Sequence, residues 1–128
     1  MKIKKGRLYL AGAMRGIKFY NFPAFDAMKE RLTKMRWKVI SPADLDRKAG
    51  FDAMKLPEDT NWFLNPKHFS LRNCVKRDVK AIISCDAMAI LPGWEKSTGV
   101  KAEKALAEWL CIPVYDAKTM KPIGGKKK

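Results

Sequence analysis

The chain has 128 residues, 47% hydrophobic and 31% charged, which fits one globular domain and excludes a disordered or two-domain protein. No apolar run approaches the about 20 residues of a transmembrane helix, and the apolar part of the opening MKIKKGRLYLAGAM is too short and glycine-interrupted for a signal peptide. A domain of this size buries roughly two-thirds of its unfolded surface and needs no disulfide or metal staple.

The net charge is +14, but eight of the basic residues (Lys2, Lys4, Lys5, Arg7, Lys121, Lys126, Lys127, Lys128) lie at the two ends. Without them 19 basic residues face 13 acidic ones, an excess of +6. One reading is attraction to nucleic acid through the ends. The other, which the lack of an aromatic–basic stripe or recognition helix favours, is a domain with solvated tails and a phosphate-bearing substrate. Cys74, Cys85 and Cys111 each sit in an apolar segment, with no CxxC pair and a single histidine, His68. That pattern argues against zinc and for buried thiols in a reducing, cytoplasmic setting, with no cofactor required.

In chain order, Arg7–Ala11 predicts a short strand, followed by a loop over 12–16 bounded by Gly12 and Gly16. Asn21-Phe22-Pro23 opens a helix. Its apolar stripe is Phe22, Phe25, Met28, Leu32 and Met35. Residues 37–40 predict a second strand, stopped by Ser41-Pro42. Residues 43–68 read as a long loop with at most a short helix. A helix over 70–84 follows, with Leu71, Val75, Val79, Ile82 and Ile83 on one side. Residues 86–91 form an apolar run of the kind found in a parallel strand buried on both faces. A loop over 92–97, a helix over 98–110 and a last strand over 112–115 complete the pattern. The alternation predicts a single-domain Rossmann- or flavodoxin-like α/β fold: an open, mostly parallel sheet of about four or five strands, helices on both faces, the strand at Arg7 central. The domain spans 7–117, between a basic extension (1–6) and a basic tail (118–128). Ligands of such sheets bind beyond the carboxyl ends of the strands, where the 12–16 and 92–97 loops gather.

Two carboxylates stand on stripes that should be apolar. Val100, Glu103, Ala107 and Leu110 recur at spacings of 3, 4 and 3, and Leu71, Val75, Asp78 and Ile82 at 4, 3 and 4. A carboxylate buried without partners is costly, so Glu103 and Asp78 either line a pocket or sit at its rim, paired with Arg72, Arg77 or a lysine. The glycine-bounded loop carries Arg15, and Ser97-Thr98-Gly99 opens a helix, where free N–H groups and a hydroxyl favour an anion. The bland alternatives are a plain N-cap at Ser97 and a plain tight turn at Gly12 and Gly16. Neither GxGxxG nor a Walker A sequence is present.

LYLAGAMRG, KRDVKAIISCDAMAILPGW, STGVKAEKALA and IPVY, in this order and spacing, resemble the nucleoside 2-deoxyribosyltransferase-like superfamily. That group includes base-exchanging transferases, 2′-deoxynucleoside 5′-monophosphate N-hydrolases, and uncharacterised phage and bacterial proteins. The resemblance covers most of 7–115, with 43–68 poorly matched. It implies Glu103 as nucleophile, Tyr9 as the residue that holds it, and Asp78 as sugar contact and proton relay. It implies substrate binding by Gly12, Ala13, Arg15, Gly16, Ser97 and Gly99. Transferases tend to carry Asp at the position of Ser97, whereas the hydrolases have a phosphate-touching Ser where this chain has Ala13.

The expected function is therefore N-glycosidic cleavage of a nucleoside 5′-monophosphate through a glycosyl-Glu103 ester, with release of the base. Base exchange, a silent nucleotide-binding protein and a nucleic-acid accessory domain are the alternatives. Family members commonly complete the pocket from a neighbouring subunit, and Phe51, Trp62, Phe63 and Phe69 are apolar residues for a small monomer to cover, so a homodimer is expected.

Overall fold

The structure, a computed structural model, describes residues 5–64 and 70–124. His68, Phe69 and the lysines at 126–128 lie outside the described residues. The strands are β1 (Arg7–Ala11), β2 (Lys38–Ile40), β3 (Ala87–Ile90) and β4 (Val114–Asp116); the helices are α1 (Phe22–Lys34), α2 (Pro42–Lys48), α3 (Leu71–Ile83) and α4 (Thr98–Trp109). The sheet is parallel throughout, in the order β2-β1-β3-β4. This is a single-domain Rossmann/flavodoxin-like α/β fold, with β1 internal. The order reverses between β1 and β3, which makes that pair the topological switch point.

Period-two alternation assigns the two faces. Leu8 and Leu10 join Ala87, Ala89, Phe22, Phe25 and Leu32 in a core under α1. Tyr9 and Ala11 point the other way, with Met88, Ile90, Ile82, Val100 and Ala107, under α3 and α4. Both β1 and β3 are covered on both sides, which is why each reads as a continuous apolar run.

Serine caps start three helices. The Ser41 Oγ accepts from Ala43 N at 3.2 Å, Ser70 from Asn73 N at 3.0 Å and Ser97 from Val100 N at 3.2 Å. Ser41 with Pro42 at the first turn and Asp44 behind it is a helix start, and α2 occupies part of what reads as loop in 43–68. A further short 3₁₀ turn covers Ala53–Lys55.

Three expectations are corrected. The apolar stripe of α3 is largely open: Leu71, Val75 and Ile83 are exposed and only Ile82 is buried. Leu110 is exposed past the end of α4. Of the three thiols only Cys85 is buried, while Cys111 is exposed at φ 62°, in the left-handed conformation that commonly follows a helix end.

Phe19, Tyr20 and Asn21 adopt φ of 54°, 49° and 65° in succession. Left-handed backbone costs about 1–2 kcal/mol per non-glycine residue. Ring contacts offset it: Phe19 and Tyr20 meet Trp62 at 5.3 and 5.1 Å, and Tyr20 meets Phe51 at 6.0 Å. Asn21 Nδ2 donates to Ala13 O at 2.9 Å, and the Tyr20 hydroxyl donates to Leu64 O. The segment ending at Leu64 is thereby bound to the loop that follows β1.

Candidate active site

Tyr9 sits mid-strand on the α3/α4 face of β1 and is fully buried. Its hydroxyl donates to Glu103 Oε2 at 2.9 Å. Glu103 projects from the inner stripe of α4, between buried Val100 and Ala107. Burial, and next the charge of Asp78, push the Glu103 carboxyl up to about 7, while the Tyr9 hydrogen bond and Arg77 pull the other way. Desolvation chiefly, and then the two carboxylates, raise the Tyr9 phenol well above its ordinary value, so it remains a donor. Asp78 is raised too, first by burial, while Arg77 lowers it most and Tyr9 lowers it further. Tyr9, Glu103 and Asp78 thus form one electrostatic unit on the α3/α4 side of β1.

Behind this unit stands an ion-pair chain that is not evident along the sequence. Arg77 Nη2 and Nε reach Asp78 Oδ1 at 2.9 and 3.0 Å, and Nη1 reaches Asp46 Oδ1 on α2 at 2.8 Å. The pairing of Asp78 with Arg77 is one of the partnerships open to a rim carboxylate, and it occurs here beside Glu103. Asp46 is buried, and its sequence signal is the helix start at Ser41-Pro42.

The proposed phosphate residues are less closely gathered by direct contacts. Gly12 has a packing reason for being glycine: a Cβ there would lie 2.7 Å from Leu91 Cδ1 and 3.0 Å from Phe25 Cζ. Gly16 has φ 83°, its N–H donates to Trp62 O at 2.9 Å, and the Phe63 ring lies against it. These are the plain structural roles. Ala13 offers its carbonyl to Asn21. Arg15 is exposed in the same loop and its charge is felt at Tyr20. Ser97 is the N-cap of α4. At Gly99 a Cβ would meet only Ser97 Oγ at 3.9 Å, so packing does not exclude a side chain there. Trp94 stands partly buried before Ser97, with the Lys104 ammonium 5.8 Å from its ring.

Fold and site define an α/β domain with two mutually interacting carboxyl groups on the α3/α4 side of β1 and two loops that follow the switch-point strands β1 and β3. Residues 6–116 match the family described as Domain of unknown function (DUF4406), and the chain belongs to that family. No curated protein matches the chain. Among the described residues no helix is long and apolar enough to cross a membrane.

Proposed function

We propose that the protein hydrolyses the N-glycosidic bond of a nucleoside 5′-monophosphate, with ribose or deoxyribose as the sugar. The observation that carries this reading is the setting of Glu103. Its hydrogen-bond partner is the buried Tyr9 phenol, and its nearest carboxylate influence is Asp78. A carboxylate serving packing alone gains nothing from a like charge. A glycosidase of this kind needs one carboxyl group ionised as nucleophile and a second able to carry a proton, and burial raises both groups here.

In the first half-reaction an ionised Glu103 oxygen bonds to C1′ as the C1′–N bond breaks, and a proton relayed through Asp78 goes to the departing base. In the second, water adds to C1′, its proton passes to Asp78 to replace the one given to the base, and the C1′–O bond of the ester breaks. The products are the base and the sugar 5-phosphate, and Glu103 is restored as carboxylate. Tyr9 holds the nucleophile in place. Arg15, Ser97 and the backbone around Gly12, Gly16 and Gly99 receive the phosphate at the positive end of α4. Ser97 precedes Glu103 by six residues, about 9 Å along a helix, a suitable span from 5′-phosphate to C1′.

The working unit is a homodimer. Support comes from the uncovered apolar side chains of α3 (Leu71, Val75, Ile83), from Phe63 and Leu64, and from Trp109. Phe51 and Trp62 do not contribute, because Phe51 is buried and Trp62 packs on Phe19 and Tyr20.

The test is incubation with mixed nucleoside 5′-monophosphates, read by chromatography. Free base from the wild type and none from Glu103→Gln is the expected result. Base exchange without net hydrolysis assigns the transferase chemistry instead. Thermal stabilisation by nucleotide without turnover assigns a silent binder.

A further inference from the structure

Arg77 and Asp78 are neighbours in sequence, so their side chains leave the α3 helix about 100° apart. The arginine nevertheless folds back, and two of its nitrogens converge on one oxygen, Asp78 Oδ1, at 2.9 and 3.0 Å. Its remaining terminal nitrogen is fixed at 2.8 Å by Asp46 Oδ1 from a different helix. The side chains of Asp46, Asp78 and Arg77 are 11%, 18% and 26% exposed, so this is a largely desolvated cluster and not a surface pair. The guanidinium is pinned from both sides, and the fork leaves Asp78 Oδ2 outside it.

We propose that Arg77 is a positioning residue for the Asp78–Glu103 pair: anchored by Asp46, it fixes which Asp78 oxygen faces the sugar and supplies the positive charge that eases ionisation of the Glu103 nucleophile beside Asp78. This rests on the glycosidase reading for the identity of the sugar, but the electrostatic role is a property of the folded chain.

The charge balance supports the assignment. Three carboxylates, Asp46, Asp78 and Glu103, share this region, and burial raises all three. Arg77 lowers all three: Asp46 through its hydrogen bond first, Asp78 and Glu103 through its charge. Two adjacent carboxylates without a cation hold one proton between them. Among the described residues, Tyr9 on β1 and Arg47 on α2 also act on this cluster, and the cluster in turn acts on the Cys74 thiol on α3. Lysine cannot replace the fork, because an ammonium is a point charge without the planar geometry that reaches Asp46 and Asp78 at once. The charge and the orientation are therefore separable by mutation.

The experiment is a carboxyl ¹³C NMR titration of Glu103 in the full-length protein, with base release measured in parallel at pH 8.5. In Arg77→Gln the Glu103 midpoint rises by about one pH unit. In Arg77→Lys it stays within a few tenths of wild type, while base release falls at least tenfold because Asp78 loses its fixed orientation. Asp46→Asn leaves the guanidinium charge undivided on Asp78, and the Glu103 midpoint falls. An unmoved midpoint in both Arg77→Gln and Asp46→Asn overturns the electrostatic role; if Arg77→Gln does not fold, Asp46→Asn decides alone. Wild-type base release by Arg77→Lys overturns the orienting role. Midpoints that move as expected in a protein releasing no base from any nucleotide retire the glycosidase reading and the orienting role, while the electrostatic assignment stands.

Discussion

The Tyr9 hydroxyl donates to Glu103 Oε2 across 2.9 Å and ties the central strand to the fourth helix, 94 residues further along the chain. A fully buried phenol on a carboxylate is a directional contact: it sets the rotamer of Glu103 and favours its ionised form. Tyr9→Phe keeps the ring and removes this hydrogen bond. Glu103 loses an influence that lowers it, so the acidic limb of the pH–rate profile moves to higher pH. A hydrogen bond to a charged group contributes about 1.5–3 kcal/mol, so kcat/KM at neutral pH should fall at least tenfold. A Tyr9→Phe profile that overlays the wild type contradicts the orienting role.

The raised Glu103 carboxyl also links pH to stability. Its folded value of about 7 lies above the ordinary 4.5, so the folded state binds this proton more tightly than the unfolded one. Glu103 therefore favours the folded state most below about pH 4.5. That contribution is lost as pH rises to about 7 and is flat beyond, a change of up to about 3 kcal/mol. Glu103→Gln cannot titrate, so at pH 8 it should be more stable than wild type in denaturant unfolding, with no turnover. A variant less stable than wild type at pH 8 assigns Glu103 a structural role.

Ser97 has two duties under this account. As N-cap its replacement by alanine costs about 1 kcal/mol of stability, visible as a lower Tm. As a phosphate contact its loss, like that of Arg15→Ala, lowers kcat/KM for a monophosphate at least tenfold and leaves the nucleoside nearly unchanged. Equal losses on both substrates would remove Ser97 and Arg15 from the phosphate site.

Gly12 offers a control. An alanine Cβ there meets Leu91 and Phe25, so Gly12→Ala should destabilise the fold by about 1–3 kcal/mol through overpacking. If Gly12 instead approaches substrate alone, stability is unchanged and only KM rises.

The exposed α3 stripe gives the quaternary prediction. Light scattering at micromolar concentration should give a dimer mass, and Val75→Glu should give a monomer. A monomeric wild type leaves the stripe without a partner copy.

Much of this was legible because it broke a pattern. Tyr9 lies in a strand whose alternation sends it to the face opposite Leu8, and Glu103 interrupts a helical stripe otherwise made of core residues. Period and sheet order then place both on one side of β1. Asp46 was not legible in this way. Seven residues of α2 are too short to display a helical period, and the capping signal of Ser41-Pro42 gives a start without a face. The α3 stripe shows the limit of periodicity: it puts Leu71, Val75 and Ile82 on related positions, but burial depends on what lies opposite, and the sheet covers only Ile82. Gly12 and Gly16 read along the sequence as an anion loop or as a plain tight turn; the packing of Leu91 and Phe25 against Gly12 and of Phe63 against Gly16 involves contacts distant in sequence, which the loop alone does not display.

The most direct test of the central claim is to look for the ester itself. The protein is incubated with a panel of 2′-fluoro-2′-deoxynucleoside 5′-monophosphates, in which the electron-withdrawing fluorine slows ester hydrolysis, and its intact mass is measured and the modified peptide sequenced. The account predicts a gain equal to one sugar-phosphate unit, located on Glu103, accompanied by one equivalent of free base and absent from Glu103→Gln. Base release without any adduct on Glu103, or an adduct on another residue, would contradict it.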